Sequence, residues 1–174
     1  MRSITLLCLL TSLFLIAGVS AADEKKDMQG WGVDDPYNQL YDVREYEKIR
    51  AWVVRLREAP PMPGMSPATI VDVREGDESF TETFEVHVCP TWFAKPSEIG
   101  IKPGDRVKLK GVWAEVDGKD VFMASKIKID PHFEFKVRLT KNGFPFWAMS
   151  PEQLAHERAE SLKAQGIEAD TSKN

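Results

Sequence analysis

The sequence predicts an all-β barrel of five to six short strands, followed by one C-terminal helix. Three observations carry this. Apolar and polar residues alternate with period two in several runs, as in Val107, Leu109 and Gly111 against Arg106, Lys108 and Lys110. Turn signals such as Pro103-Gly104-Asp105 and Asp117-Gly118 separate the runs at roughly regular spacing. No alternation of strands with helices appears, which argues against a parallel α/β sheet.

The elements follow in order. Residues 49–57 are the first β-rich run. Residues 58–67 hold four prolines, Met62, Met65 and Gly64, and can form neither a central strand nor a helix. Residues 68–74 are the second strand, closed by a turn at Glu75-Gly76-Asp77. Residues 81–89 are the third, with Phe84, Val86 and Val88 on one face and Glu85, His87 and Cys89 on the other; Pro90 ends it. Residues 94–101 form a connector with room for one helical turn.

The fourth strand is the alternating basic run from Arg106 to Trp113, and Asp117-Gly118 turns it into the fifth. There Val121, Met123, Ser125, Ile127 and Ile129 alternate with Phe122, Ala124, Lys126 and Lys128. After Asp130-Pro131, Phe133, Phe135, Val137 and Leu139 alternate with His132, Glu134, Lys136 and Arg138. An aromatic turn follows, Asn142-Gly143-Phe144-Pro145-Phe146-Trp147. Ser150 as cap, Pro151 at the first position and Gln153 three residues after the cap open a helix. It runs to about residue 165, and Gly166 stops it. Its apolar stripe, Leu154, Ala155, Ala159 and Leu162, is thin.

One detail selects the type of barrel. A non-strand connector of about a dozen residues lies between strands three and four, and the other connections are hairpin-like. That is the layout of an OB-fold-like Greek-key barrel.

The domain organisation is read as follows. Residues 1–21 have the three-part form of a cleaved secretory signal: Arg2, an apolar stretch, then Val19-Ser20-Ala21. The stretch is broken by Thr11-Ser12 and is short for a span of about 20 residues. Residues 22–48 are a polar leader and an aromatic arm, 49–147 the barrel domain, and 148–174 the helix and a polar tail. The arm is expected to pack on the barrel, because Trp31, Tyr37, Leu40 and Tyr41 are costly to leave wet.

The chain has 174 residues with a net charge of −4, and −5 without residues 1–21. An acidic total argues against a bulk nucleic-acid binder. At 43% hydrophobic and 29% charged residues it is not a disordered chain. Two cysteines exclude a disulfide-dense scaffold, and Cys8 lies in the signal. Cys89 is then the lone thiol of the exported protein, open to burial, metal binding or pairing with another molecule.

Several motifs carry a resemblance. Ser97-Glu98-Ile99 leading into Lys102-Pro103-Gly104-Asp105-Arg106-Val107 resembles the entry to strand four of bacterial exported OB-fold domains. Residues 37–147 resemble a group of secreted bacterial OB-fold-like proteins. The residues concerned are Asp35-Pro36-Tyr37-Asn38, Leu40-Tyr41-Asp42, Met62-Pro63-Gly64-Met65, Val86-His87-Val88, Pro90, Trp92 and Gly143-Phe144-Pro145-Phe146-Trp147. The resemblance implies a fold and an exported location, and no reaction.

Three sets of residues are candidate sites. His87, Trp92, Phe93, Phe146 and Trp147 are expected at the barrel mouth as a ligand or partner patch. The competing reading of the aromatic set, favoured by the stabilisation of large rings on burial, is that the leader and the C-terminal turn fold back and close the barrel. Arg106, Lys108, Lys110, Lys126, Lys128, Lys136 and Arg138 form a basic face; residues 102–141 carry a local charge of +4. Phe122 is the one aromatic among these basic positions, and single strands need more stacking rings than that. The competing reading is a solvated outer face on which lysines deter edge pairing. Third, His87 and Cys89 lie two residues apart on a strand, about 7 Å apart at the backbone. With Met62 and Met65 they form a donor set suited to copper or zinc. The set resembles that of OB-fold periplasmic copper chaperones but lacks their Met-x-Met.

No nucleophile elbow, His-Glu-x-x-His, phosphate loop or haem-attachment motif occurs. The expectation is therefore an exported, non-enzymatic binding module, periplasmic or secreted. It would need no cofactor and would recognise an envelope protein or small ligand, with nucleic acid disfavoured. The alternatives are a copper- or zinc-binding protein and a binder of single-stranded oligonucleotides.

Overall fold

The computed structural model describes residues 28–76, 82–129 and 133–164. The signal-like segment, Asp77, Asp130-Pro131, His132 and Gly166 lie outside them. Six strands form: β1 Tyr46–Ala59, β2 Ala68–Glu75, β3 Thr83–Pro90, β4 Arg106–Val116, β5 Lys119–Ile129 and β6 Phe133–Lys136. Among the described residues two α-helices accompany them, α1 Pro36–Gln39 in the arm and α2 Pro151–Ala164 after the barrel.

The strands are ordered β3-β2-β1-β4-β5-β6. All neighbours in that order are antiparallel. β3 also meets β5 in parallel, Val86 opposite Phe122 and His87 opposite Met123, and this pairing closes β1, β2, β3, β5 and β4 into a ring. β6 adds to the free side of β5. The expected OB-fold-like barrel with its C-terminal helix is the observed architecture.

Local chemistry explains the corners. Asp117 and Gly118 both have positive φ, 50° and 75°, the backbone that a two-residue hairpin turn requires. The connector between β3 and β4 is one 3₁₀ turn, Pro96–Glu98, whose Glu98 carboxylate accepts from Lys95 N at 2.8 Å. Ser150 caps α2: its Oγ accepts from Gln153 N at 3.2 Å, and Gln153 Oε1 accepts from Ser150 N at 3.0 Å.

The core is Ile49, Ala51 and Val53 of β1, Val71 and Val73 of β2, Val86 of β3, Val107 and Leu109 of β4 and Ile127 of β5. Two departures from simple alternation matter. Residues 121–125 of β5 are all buried, not every second one. A register shift at Lys110/Gly111 breaks the β4–β5 ladder there, and β3 joins the same segment. Phe122 thereby packs edge-on against Trp113, at 5.4 Å between ring centroids, and is fully buried. The second departure is at Val137 and Arg138, whose N–H groups both donate to Ser125 O at 2.9 and 3.2 Å. The ladder stops there and both residues turn inward, fully buried.

Candidate functional site

The aromatic arm closes the barrel. Trp31, Tyr37, Phe146 and Trp147 are all buried. Trp147 Nε1 donates to Trp31 O at 3.0 Å, and Trp31 Nε1 donates to Ser66 O at 3.1 Å. The rings of Trp31 and Trp147 meet edge to face at 5.4 Å. At the centre lies Arg138, 2% exposed. Its guanidinium sits 4.6 Å from the Trp147 ring and 5.0 Å from the Tyr41 ring. It donates to Asn38 Oδ1 at 2.7 Å and to Gly143 O at 3.1 Å. Asn38 Nδ2 in turn donates to Trp31 O and Gly32 O.

The five residues expected at the mouth are therefore divided. Trp147 is consumed in closing the barrel against Trp31 of the arm, and Phe146 is buried with the Lys136 ammonium over its ring at 5.2 Å. Phe93 is half-buried against Trp147, at 6.1 Å. Trp92 remains 39% exposed. His87 lies elsewhere, in a cleft. Arg138 likewise leaves the basic face for the interior, a correction whose cause is the broken ladder at Ser125.

The His87 cleft has a volume of about 270 Å³ and lies between the β1–β2 loop, at Pro60-Pro61, and the β4–β5 hairpin, at Asp117 and Lys119. Arg57, Glu85 and His87 supply its polar floor. Arg57 bonds to Asp72 at 3.1 Å and to Glu85 at 2.9 Å, and Arg55 holds Asp72 from its other side. Burial alone would raise the Asp72 carboxyl, but hydrogen bonds from Arg57 and then Arg55 hold it below its ordinary value. His87 Nδ1 lies 3.1 Å from the Tyr37 hydroxyl and Nε2 3.6 Å from Glu85. A neutral ring protonated at Nε2 satisfies both, with Nδ1 accepting from Tyr37.

Burial depresses the His87 pKa below 6.5, against the opposing pull of Glu85. The unfolded chain takes up a proton below about 6.5, while the folded chain does so only at lower pH. Stability therefore rises with pH across that window and falls as the window is crossed downward. Denaturant midpoints are expected to drop between pH 7 and 5. H87Q, which keeps a partner for Tyr37, is expected to flatten that drop; equal slopes in both proteins would refute the assignment.

The four residues of the copper or zinc reading do not come together. Cys89 is fully buried, its thiol donating to Ala94 O at 3.6 Å. His87 is held by Tyr37. Met62 and Met65 line a separate cavity of about 490 Å³ with Met28, Asp34 and Asp35, which neither His87 nor Cys89 reaches. Among the described residues no three His, Cys, Asp or Glu side chains gather for a metal. Burial pushes the Cys89 thiol up to about 12, so almost no thiolate exists at neutral pH. The native thiol is expected to react with a disulfide reagent at least a hundredfold more slowly than after unfolding in guanidinium.

The basic face is assembled by register. Lys48, Lys110, Lys126 and Lys136 lie directly opposite one another across β1, β4, β5 and β6. Beside that row run Arg50, Lys108, Lys128 and then Glu134. Glu134 bridges Lys126 at 2.6 Å and Lys128 at 2.9 Å, and Glu157 of α2 pairs with Lys136 at 2.9 Å. A groove of about 490 Å³ opens on this face, lined by Arg50, Arg106, Val107, Lys108, Lys128 and Ile129. Lys48 and Arg50 carried no separate signal in the sequence, because their strand does not alternate as cleanly as β4; only the register places them in the rows.

No curated protein and no solved structure matches the chain significantly. A family model does match, over residues 45–133. That span holds β1 to β5 with the His87 cleft and most of the basic rows, and leaves out the arm and α2. It is just over half of the 174 residues, and with the barrel as the matched part the chain belongs to the MamS/MamX magnetosome protein family.

Proposed function

We propose that the protein is a non-enzymatic binding module of the cell envelope whose ligand site is the His87 cleft. The observation that supports this reading is position. OB-fold barrels take their ligands on the face of strands two and three, between the first and last hairpin loops. Here the β1–β2 loop and the β4–β5 hairpin flank Glu85 and His87 of β3. Arg57 is held in place by two carboxylates, which suits a fixed polar contact for a bound ligand. Arg57 and Lys119 offset Glu85 and Asp117, so the fitting ligand is small, polar and near neutral. The setting we infer is the magnetosome for which the family is named, reached by export through residues 1–21. Among the described residues no helix is long and apolar enough to cross a membrane.

The test is chemical-shift mapping with a panel of monosaccharides, amino acids and dicarboxylates. Shifts are expected at Arg57, His87 and residues 117–119. R57Q, with Arg55 still on Asp72, is expected to weaken binding about tenfold, or about 1.4 kcal/mol. A panel that perturbs only other surfaces, or none, would overturn the reading.

A further inference from the structure

We propose that the basic face of β1, β4 and β5 is a docking surface for an acidic polypeptide segment, lying extended over the groove between Arg50, Arg106, Lys108 and Lys128. Three observations carry it. The first is that like charges stand directly opposite across the ladder: Lys110 faces both Lys48 and Lys126, and Lys108 faces both Arg50 and Lys128. Such pairs destabilise a sheet. Edge protection does not explain those on β4 and β5, because Lys108, Lys110, Lys126 and Lys128 each have a paired strand on both sides; Lys48 and Arg50 precede the β2 pairing, which starts at Ala51, and Lys136 is on an edge.

The second is that the chain shows the mode of recognition itself. Glu134 projects one carboxylate between Lys126 and Lys128, and Glu157 reaches Lys136 from α2. Among the described residues no carboxylate forms an ion pair with Lys48, Arg50 or Lys110, and the pull of Glu134 on Lys110 is weaker than the push of its neighbouring lysines. Lys110 titrates below its ordinary value, through burial first and then through Lys126, Lys48 and Lys128. Positive potential on this part of the face is thus left for an incoming anion to neutralise.

The third is shape and surroundings. Side chains two apart on a strand are about 7 Å apart, and acidic side chains at alternate positions of an extended segment have the same spacing. A groove suits a chain. Single-stranded nucleic acid would need rings to stack on, but Phe122 is buried and Trp52 lies under the Arg106 guanidinium at 5.7 Å. A lipid surface would call for apolar side chains projecting from the face, whereas Val107 beneath it is buried. This surface is separate from the His87 cleft, so the two proposals stand or fall independently.

The probe is a labelled twelve-residue peptide of alternating Glu and Ser, titrated against the whole chain at 50 and 200 mM salt. Binding is expected, weakening several-fold at the higher salt. R50E and K110E, both on the barrel exterior, are each expected to weaken it about tenfold. E157Q, which releases Lys136 by a change on α2 alone, is expected to tighten it two- to threefold and gives a readout should a charge reversal fail to fold. No binding, or binding unmoved by these variants, overturns the proposal. So does tighter binding of an oligothymidylate of equal charge or of phosphatidylglycerol vesicles. Self-association of the chain that K110E abolishes would make a second copy the occupant and overturn it as well.

Discussion

R138A is expected to destabilise the fold by about 3 kcal/mol and to release the arm. Two effects combine. Removing the guanidinium orphans Asn38 Oδ1 and Gly143 O, and each buried unsatisfied polar group costs roughly 1–3 kcal/mol. It also leaves a cavity between the Tyr41 and Trp147 rings, as large-to-small changes do. Relief from holding a cation in the interior offsets part of this. Burial pulls the Arg138 pKa down to about 10, still well above neutral, so the side chain stays charged without a carboxylate partner among the described residues. R138K keeps the charge but not the planar fork, and is expected to lose nearly as much. R138M, which fills the space, is expected to lose less. Denaturant midpoints give the energies. Limited proteolysis around residues 28–42 reads the arm, and an arm that stays protected in R138A would show that the clasp is held by the tryptophans alone.

G111A is expected to cost about 3 kcal/mol or more, and to be the least tolerated single-methyl addition in the barrel. Gly111 has no need of positive φ. Its requirement is close approach: a Cβ there would overlap the Met123 carbonyl oxygen, and would lie 2.8 Å from the Phe122 ring and 3.0 Å from Ala124 Cα. Two of these are backbone atoms of the paired strand and cannot move aside. The methyl would force β4 from β5 at the register shift, where the ring also takes in β3. G118A is a contrast. Nothing lies within 4 Å of its Cβ, and its positive φ of 75° sets a smaller penalty of about 1 kcal/mol. A G111A protein with a wild-type midpoint would mean that the strands can separate at this point without loss.

The order of strands was legible because each rests on a local rule. Alternation marks one buried face, Asp117-Gly118 marks a tight turn, and Ser150-Pro151 with Gln153 marks a helix start. These rules concern neighbours in sequence, and they held wherever a strand kept one face in water. They failed where both faces were covered. Residues 121–125 fall on alternating faces by period, one of them continuing into Lys126 and Lys128, but all five are buried, because β3 and the register shift enclose them. Arg138 reads as the next cation after Lys136, yet two N–H groups converge on Ser125 O and turn it inward. No pattern in a single chain announces either event.

The candidate sites divide along the same line. His87 could be singled out from its strand and its neighbours, but not the loop and hairpin that make a cleft around it. Lys108 and Lys110 were visible as a basic stripe. Lys48 and Arg50 joined them only when β1 paired with β4. Trp147 could be recognised as costly to expose, though not as a lid held by Trp31 across 116 residues.

By itself, then, the sequence determined an all-β chain of about six strands, its turns, its helix cap and its surplus of lysine on the later strands. The tertiary structure alone decided that the arm is clasped through Arg138 and Trp147, that Cys89 and His87 are kept apart from Met62 and Met65, and that the cations align in rows. The reason is physical. Periodicity and turn chemistry act within a few residues, whereas register, ring closure and the burial of a second face are set by contacts between segments far apart in the chain.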